Sequence, residues 1–342
     1  MVSTSQGPDA RAAALSDWVR QVLGTGRFDI APASADASFR RYFRISGLGA
    51  DAPTRIAMDA PPAQEDCRPF IAVAALLREA GLNAPHVLAQ DLERGFLLLS
   101  DLGTQTYLHV LNETNAPRLF GDASAALVRW QLASRPGVLP PYDAALLQRE
   151  LQLFPDWYIA RHLKVQLSDA QRQVLTGVFA RIVADNLAQP AVFVHRDFMP
   201  RNLMVSDPNP GILDFQDAVY GPITYDVACL FKDAFISWPD EMVLDGTIRY
   251  WERARKAGLP VDADFGAFFR ACEWMGLQRH LKVLGIFARI NYRDGKPAYL
   301  EDAPRFLGYV RAVAGRYGEL APLLRLLDEL EGAAATQVGY TF

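Results

Sequence analysis

Near residue 100 the sequence changes its period, and the change divides the chain into two unlike parts. From Ala31 to Leu99 the apolar residues fall in short strand-like runs, at Ser38–Ile45 (SFRRYFRI), Arg55–Met58, near Val87–Ala89 and at Phe96–Leu99. One helix interrupts them: Phe70, Val73, Ala74 and Leu77 recur at helical spacing between Cys67 and Ala80, and Gly81 follows as a stop. The expected order is three strands, a helix and two strands. After Gly103 long amphipathic helices take over. Leu119, Ala123, Ala126, Leu127 and Trp130 share a face of Leu119–Ser134, and Val174, Val178, Ile182 and Leu187 share a face of Ser168–Gln189. The second of these opens on a capping pattern, Ser168 to Gln171. Further helical stretches are expected at 240–256, 264–290 and 301–330. A chain of 342 residues accommodates two domains at roughly 100 to 200 residues each. The expectation is an α+β, bilobal fold: residues 1–102 a small mixed lobe, residues 103–342 a mainly helical one, joined near Ser100-Asp101-Leu102-Gly103.

Charge and composition narrow the function. With 35 Lys and Arg against 39 Asp and Glu the net charge is −4, which leaves no footprint for nucleic acid. Half the residues are hydrophobic, but no apolar run reaches 18, so no membrane span is expected. The start, MVSTSQGPDARAAALSDW, lacks the basic-then-apolar order of a secretion signal, and a soluble cytoplasmic enzyme of small molecules is the expectation. Cys67, Cys229 and Cys272 are odd in number and far apart, so buried free thiols are expected in place of a disulfide or zinc framework. The first lysine is Lys164, so arginine is the only Lys/Arg-type cation available to everything before it.

Two short apolar runs break the helical texture and end abruptly in charge. Ala191-Val192-Phe193-Val194 leads into His195-Arg196-Asp197, and Gly211-Ile212-Leu213 leads into Asp214. A buried strand would present Asp197 at the start of a loop; Asn202 opens the short strand Leu203–Val205, and Asp214 leaves a second strand able to pair with it as a hairpin. Asp197, Asn202 and Asp214 are therefore expected to converge. A carboxylate free to take a proton, plus an amide oxygen and a second carboxylate able to hold a hard divalent ion, is the equipment for transferring a phosphoryl group to a hydroxyl.

The pattern H-R-D-x-x-x-x-N followed by D-F resembles the catalytic and metal-binding loops of the protein-kinase fold. The wording HRDFMPRNLMV, ILDFQDA and GPITYDVACL is closer still to the aminoglycoside phosphotransferase family. The resemblance implies that Asp197 is the catalytic base, that Asn202 and Asp214 bind Mg²⁺, and that His195 and Asp226 brace the loop. For His195 the packed, hydrogen-bonding reading is preferred, and Asp226 serves equally as a simple helix N-cap.

Two departures concern the nucleotide. The kinase fold places a lysine on its third strand to hold phosphates, whereas Met58 stands in the matching stretch Arg55-Ile56-Ala57-Met58. No glycine-rich loop is present; Ser34-Ala35-Asp36-Ala37-Ser38-Phe39-Arg40-Arg41 takes its place, with Ser38 and the arginines Arg40, Arg41 or Arg44 as candidate phosphate ligands. These arginines read equally as the solvated face of a strand. By resemblance, adenine packs against Leu99 and bonds to the backbone of Ser100 to Leu102.

For the acceptor hydroxyl, the stretch ELQLFPDWYIARH around Pro155 offers Glu150 and Trp157, and WMGLQRHLK offers Gln278, Arg279 and Lys282. Trp157 and Tyr158 read also as core aromatics, and the basic residues as a solvated face. Acids mixed with Arg161, His162, Arg279 and Lys282 suit a neutral or acidic sugar better than a polycation. ASFRRYFRI, MDAPPAQEDCRPF, FLLLSDLG, ELQLFPDWYIARHL and GLQRHLKVLGIFARINYRDGKPAYL together resemble the family of bacterial anomeric kinases of N-acetylmuramate and N-acetylglucosamine, which also carries methionine on the third strand. This resemblance implies ATP and Mg²⁺ as cofactors, the sugar C1 hydroxyl as acceptor, a place in peptidoglycan recycling, and a product passed to a uridylyltransferase. The rival readings are a kinase of another hydroxylated small molecule, of the aminoglycoside, choline or homoserine type, and a nucleotide-binding scaffold without turnover.

Overall fold

The computed structural model describes residues 9–34, 39–233 and 235–338. The chain opens with helix α1 (Ala10–Leu23) and strands β1 (Asp29–Ser34), β2 (Arg41–Ser46) and β3 (Arg55–Asp59). Helix α2 (Cys67–Glu79), strands β4 (Val87–Asp91) and β5 (Phe96–Ser100) and the short α3 (Tyr107–Val110) follow. Helices α4 (Ala116–Leu132) and α5 (Ala144–Leu151), a π-helical segment (Phe154–Leu163) and α6 (Asp169–Leu187) lead to β6 (Ala191–Val194). The two-residue strands β7 (Leu203–Met204) and β8 (Gly211–Ile212) precede β9 (Val219–Pro222). Helices α7 (Tyr225–Phe231), α8 (Asp240–Lys256), α9 (Phe265–Asp294), α10 (Ala303–Arg316) and α11 (Ala321–Val338) complete the order.

Backbone contacts divide these elements into two units, residues 1–110 with 202–217, and residues 111–201 with 218–342. The first is a five-stranded antiparallel sheet in the order β1-β2-β3-β5-β4. One face is covered by α1, whose Leu15, Trp18 and Val19 pack on Ile45, Ala57, Phe96 and Leu98. Sequence reading did not single out α1. It buries only three side chains within an alanine-rich, charged run, too few to set up a clear period. Strand residues alternate between faces, so Met58, paired with Leu97, turns away from α1 and is fully buried. In α2 the expected residues Phe70, Val73, Ala74 and Leu77 are all buried. The β7–β8 hairpin pairs Leu203 with Ile212, as anticipated. It belongs to this unit because Ile212 N–H donates to the Asn83 carbonyl at 2.8 Å and Asn83 Nδ2 donates to the Pro208 carbonyl at 2.7 Å.

The second unit is helical around the antiparallel pair β6–β9. The expected capping box on α6 is present, Ser168 and Gln171 each accepting from the other's backbone N–H. Pro155 stands in the first turn of the π-helical segment, after α5 has ended at Leu151. From Cys272 to Ala288 all but Ile286 of α9 is buried, so this helix is the unit's axis. Gly285 permits that: a Cβ there would lie 2.3 Å from the Leu153 carbonyl carbon. The single helix expected at 301–330 is instead broken at Tyr317, whose extended backbone ends α10, and Pro322 restarts α11 in its first turn. All three cysteines are buried and free. No helix among the described residues is long and apolar enough to cross a membrane.

Candidate active site

Strand β6 is buried from Val192 to Val194 and hands the chain to the loop His195-Arg196-Asp197. His195 is buried, and its Nδ1 accepts the Asp197 N–H at 3.3 Å, the packed role preferred from sequence. Asp226 accepts the N–H groups of His195 and Arg196 at 2.7 and 3.0 Å. Of the two roles open to Asp226, the structure gives it the bracing one; Thr224 occupies the cap position of α7. Burial pushes the Asp226 carboxyl up to about 7, against the pull of those two N–H donors. Arg196 adopts φ 79°, a left-handed conformation costly for any side chain but glycine. Asp197 is half-buried, and its carbonyl accepts the Met199 N–H at 2.9 Å.

Around this loop the second unit buries a charge network. Glu150 Oε1 accepts from Arg196 Nη2 at 2.6 Å and lies 2.9 Å from Lys282 Nζ, while Oε2 accepts the Tyr142 hydroxyl. Lys282 donates to the Tyr225 hydroxyl at 3.1 Å. Burial acts to raise the Glu150 carboxyl, but Lys282 and then Arg196 more than offset it and hold it below the usual carboxylate range. Glu150, offered by the sequence as a ligand for sugar hydroxyls, thus has both oxygens engaged inside the protein. Gln278 is fully buried and donates to the Leu147 carbonyl at 2.9 Å. Arg279, also buried, donates to the Lys232 carbonyl at 3.4 Å and reaches Met199 Sδ at 3.6 Å. Neither Arg279 nor Lys282 belongs to a solvated face. Trp157 is half-buried, while Tyr158 stacks on Phe154 in the core.

In the first unit the hairpin brings Asn202 and Asp214 together. Asn202 Nδ2 donates to Asp214 Oδ2 at 3.3 Å, Gln216 Nε2 donates to Asp214 Oδ1 at 2.8 Å, and the Leu213 N–H donates to the Asn202 carbonyl at 3.0 Å. Asp214 also sits at positive φ, 61°.

The arginines expected to meet phosphate are engaged by carboxylates. Arg41 pairs with Asp59 at 2.5 Å and with Asp9, Arg40 pairs with Glu65 at 3.1 Å, and Arg44 pairs with Asp101 at 2.6 Å. Asp101, which also accepts from Thr54 and the Gly103 N–H, is held below the usual range despite burial. Leu99 is buried in β5; Ser100 exchanges bonds with His86, its Oγ accepting the His86 N–H at 2.8 Å and its N–H donating to the His86 carbonyl at 2.9 Å. Leu102 is half-buried. Ser38 lies outside the described residues.

Residues 29–264 match the phosphotransferase enzyme family. The chain belongs to that family. A relative from Pseudomonas putida, named N-acetylmuramate/N-acetylglucosamine kinase, is 57% identical over 302 residues, 88% of this phosphotransferase and 88% of that protein. One of the same name from Pseudomonas aeruginosa is 54% identical over 338 residues, 96% and 99% of the two chains. Among solved structures, the ADP-bound aminoglycoside phosphotransferase APH(2'')-Ib shares the protein-kinase-like fold at a TM-score of 0.58 and 14% identity, covering 87% of this chain and 97% of its own.

Asn202 and Asp214 fit a magnesium ion in chemistry: half a turn of the amide offers its oxygen beside a carboxylate, and Mg²⁺ favours one or two such ligands completed by phosphate oxygens and water. No group of three or more His, Cys, Asp or Glu among the described residues suits a metal, so substrate oxygens would have to complete the set. Sequence reading missed Arg196 and Tyr142 as partners of Glu150. Arg196 was legible only as the middle of a motif, and nothing local to Tyr142 signals a buried hydroxyl donor.

Proposed function

We propose that this phosphotransferase uses ATP and Mg²⁺ to phosphorylate the anomeric C1 hydroxyl of N-acetylmuramate and N-acetylglucosamine. The observation that carries the reading is the pair of relatives of that name, more than half identical along nearly the whole chain. In this reading Asp197 accepts the C1 proton as the oxygen attacks the γ-phosphorus, the bond to the bridging oxygen breaks and ADP leaves. Asp226 and His195 hold the backbone from which it acts. Asn202 and Asp214 hold the magnesium ion, which when bound offsets charge on the phosphates. An anomeric hydroxyl is more acidic than an ordinary alcohol, so the demand on the base is modest. Adenine packs on Leu99 beside Ser100 and Leu102. With Met58 buried in the third strand and no lysine before Lys164, phosphate charge falls to arginine, Arg41 or Arg44 exchanging a carboxylate for the nucleotide. Trp157, half-buried, is the candidate sugar contact, while Gln278 and Arg279 lie buried behind the surface a sugar could reach. Residues 1–102 would then serve the nucleotide, and 103–342 would carry the catalytic loop and the sugar pocket, in a cytoplasmic enzyme of cell-wall recycling whose product a uridylyltransferase consumes.

The test is product formation from ATP and Mg²⁺ with N-acetylmuramate, N-acetylglucosamine and kanamycin in parallel, followed by ³¹P NMR. A C1-linked sugar phosphate is expected from both amino sugars and none from kanamycin. Asp197→Asn is expected to lower kcat by on the order of 10² to 10⁴ with nucleotide binding retained. Near-normal turnover in that variant would remove Asp197 from the role of base.

A further inference from the structure

The geometry points to Glu150 as a positioning residue for Asp197: it anchors the Arg196 guanidinium and so fixes the left-handed turn that precedes the base. The inference rests on the reading of Asp197 as that base.

A side chain persists at positive φ only where its surroundings over-determine it. At Arg196 the backbone is held on both sides and the guanidinium at one nitrogen. Its N–H donates to Asp226 at 3.0 Å, its carbonyl accepts from Cys229 Sγ at 3.3 Å, and Nη2 donates to Glu150 at 2.6 Å. The guanidinium also lies 5.8 Å from the Tyr142 ring. Asp226 and Cys229, both on α7, hold the backbone; Glu150, on α5, holds the side chain. Glu150 does this under load, because Lys282 from α9 approaches the same oxygen.

Neutralising Glu150 leaves two largely buried cations side by side without the carboxylate that both contact. The relief open to them is for Arg196 to withdraw, and its withdrawal frees the turn next to Asp197. A carboxylate that bound sugar directly would act differently, since its loss would weaken sugar binding first.

Steady-state kinetics with N-acetylglucosamine and ATP, together with thermal melting, separates these roles in Glu150→Gln, Lys282→Met and their double variant. Glu150→Gln is expected to lower kcat by about 10- to 100-fold while both KM values stay within about threefold, the mark of a displaced catalytic group. The double variant, relieved of the second cation, is expected to recover the melting temperature but not kcat, because Arg196 still lacks its anchor. It also provides the kinetic test should Glu150→Gln alone fail to fold. Three outcomes overturn the inference: kcat within about threefold of wild type in folded Glu150→Gln, a raised sugar KM with kcat retained, or full recovery of kcat in the double variant. Asp197→Asn is run alongside. If that variant is active, the base assignment fails; if it is inactive while Glu150→Gln turns over normally, only the role of Glu150 fails.

Discussion

Each unit of the molecule sets one carboxylate between two cations, and the two arrangements differ in what surrounds the cations. In the sheet unit, Asp59 is fully buried between Arg11 and Arg41, whose side chains are 37% and 38% exposed. In the helical unit, Glu150 is 7% exposed between Arg196 at 19% and Lys282 at 10%. Removing the carboxylate has different consequences. Arg41 would keep Asp9, Arg11 would keep the Arg94 carbonyl at 2.8 Å, and both would keep water. Arg196 and Lys282 would lose the carboxylate they share and have far less water to replace it. The number of charges is the same; the access of solvent to the unpaired partner sets the penalty.

The comparison is sharpest at Glu150. Breaking a buried pair from one side is worth about 3 to 5 kcal/mol, so Glu150→Gln is expected to lose that much in urea denaturation. A loss no larger than that of Asp59→Asn would break the contrast.

Asp226 tests what burial does when backbone N–H groups stand in place of a paired cation. Its carboxyl is raised to about 7, where that of Glu150 is lowered. Because the folded value lies above the unfolded one, near 3.8, the native state holds the extra proton between them. Stability from this group is therefore complete below that lower value and declines as pH rises through about 7. The unfolding free energy from urea denaturation is expected to fall across this window, by at most about 1.4 kcal/mol per pH unit, and the fall should flatten in Asp226→Asn. An unchanged slope in that variant assigns the pH dependence to other groups.

The smallest effect is expected at Asp59→Asn, a loss of about 1 to 2 kcal/mol because both arginines stay hydrated or re-paired. Added salt should change that loss little. A loss approaching that of Glu150→Gln would show that the burial of Asp59, and not the exposure of its partners, governs the sheet unit.

Much of this architecture was legible in the chain. The spacing of Phe70, Val73, Ala74 and Leu77 announced α2, Ser168 and Gln171 announced the start of α6, and the apolar runs before Asp197 and Asp214 announced β6 and the hairpin. Less was legible where a segment buries little or where local signals are mild. Helix α1 hides in alanines, and the break at Tyr317 depends on an extended residue that no proline or glycine at that position demands. Within the candidate site, motif spacing placed Asn202 with Asp214 but misjudged what Glu150 does, since its partners lie 46 residues along at Arg196 and further still at Lys282.

The sequence by itself determined the order of elements, the hairpin that brings Asn202 to Asp214, and the absence of any lysine for phosphate before Lys164. These follow from periodicity and from residue identity, which are local properties. Only the tertiary structure decided which charges pair, which are shielded from water, and that Arg196 is held at positive φ beside Asp197. Such outcomes depend on distance and solvent access between segments far apart in the chain, and no local pattern encodes either.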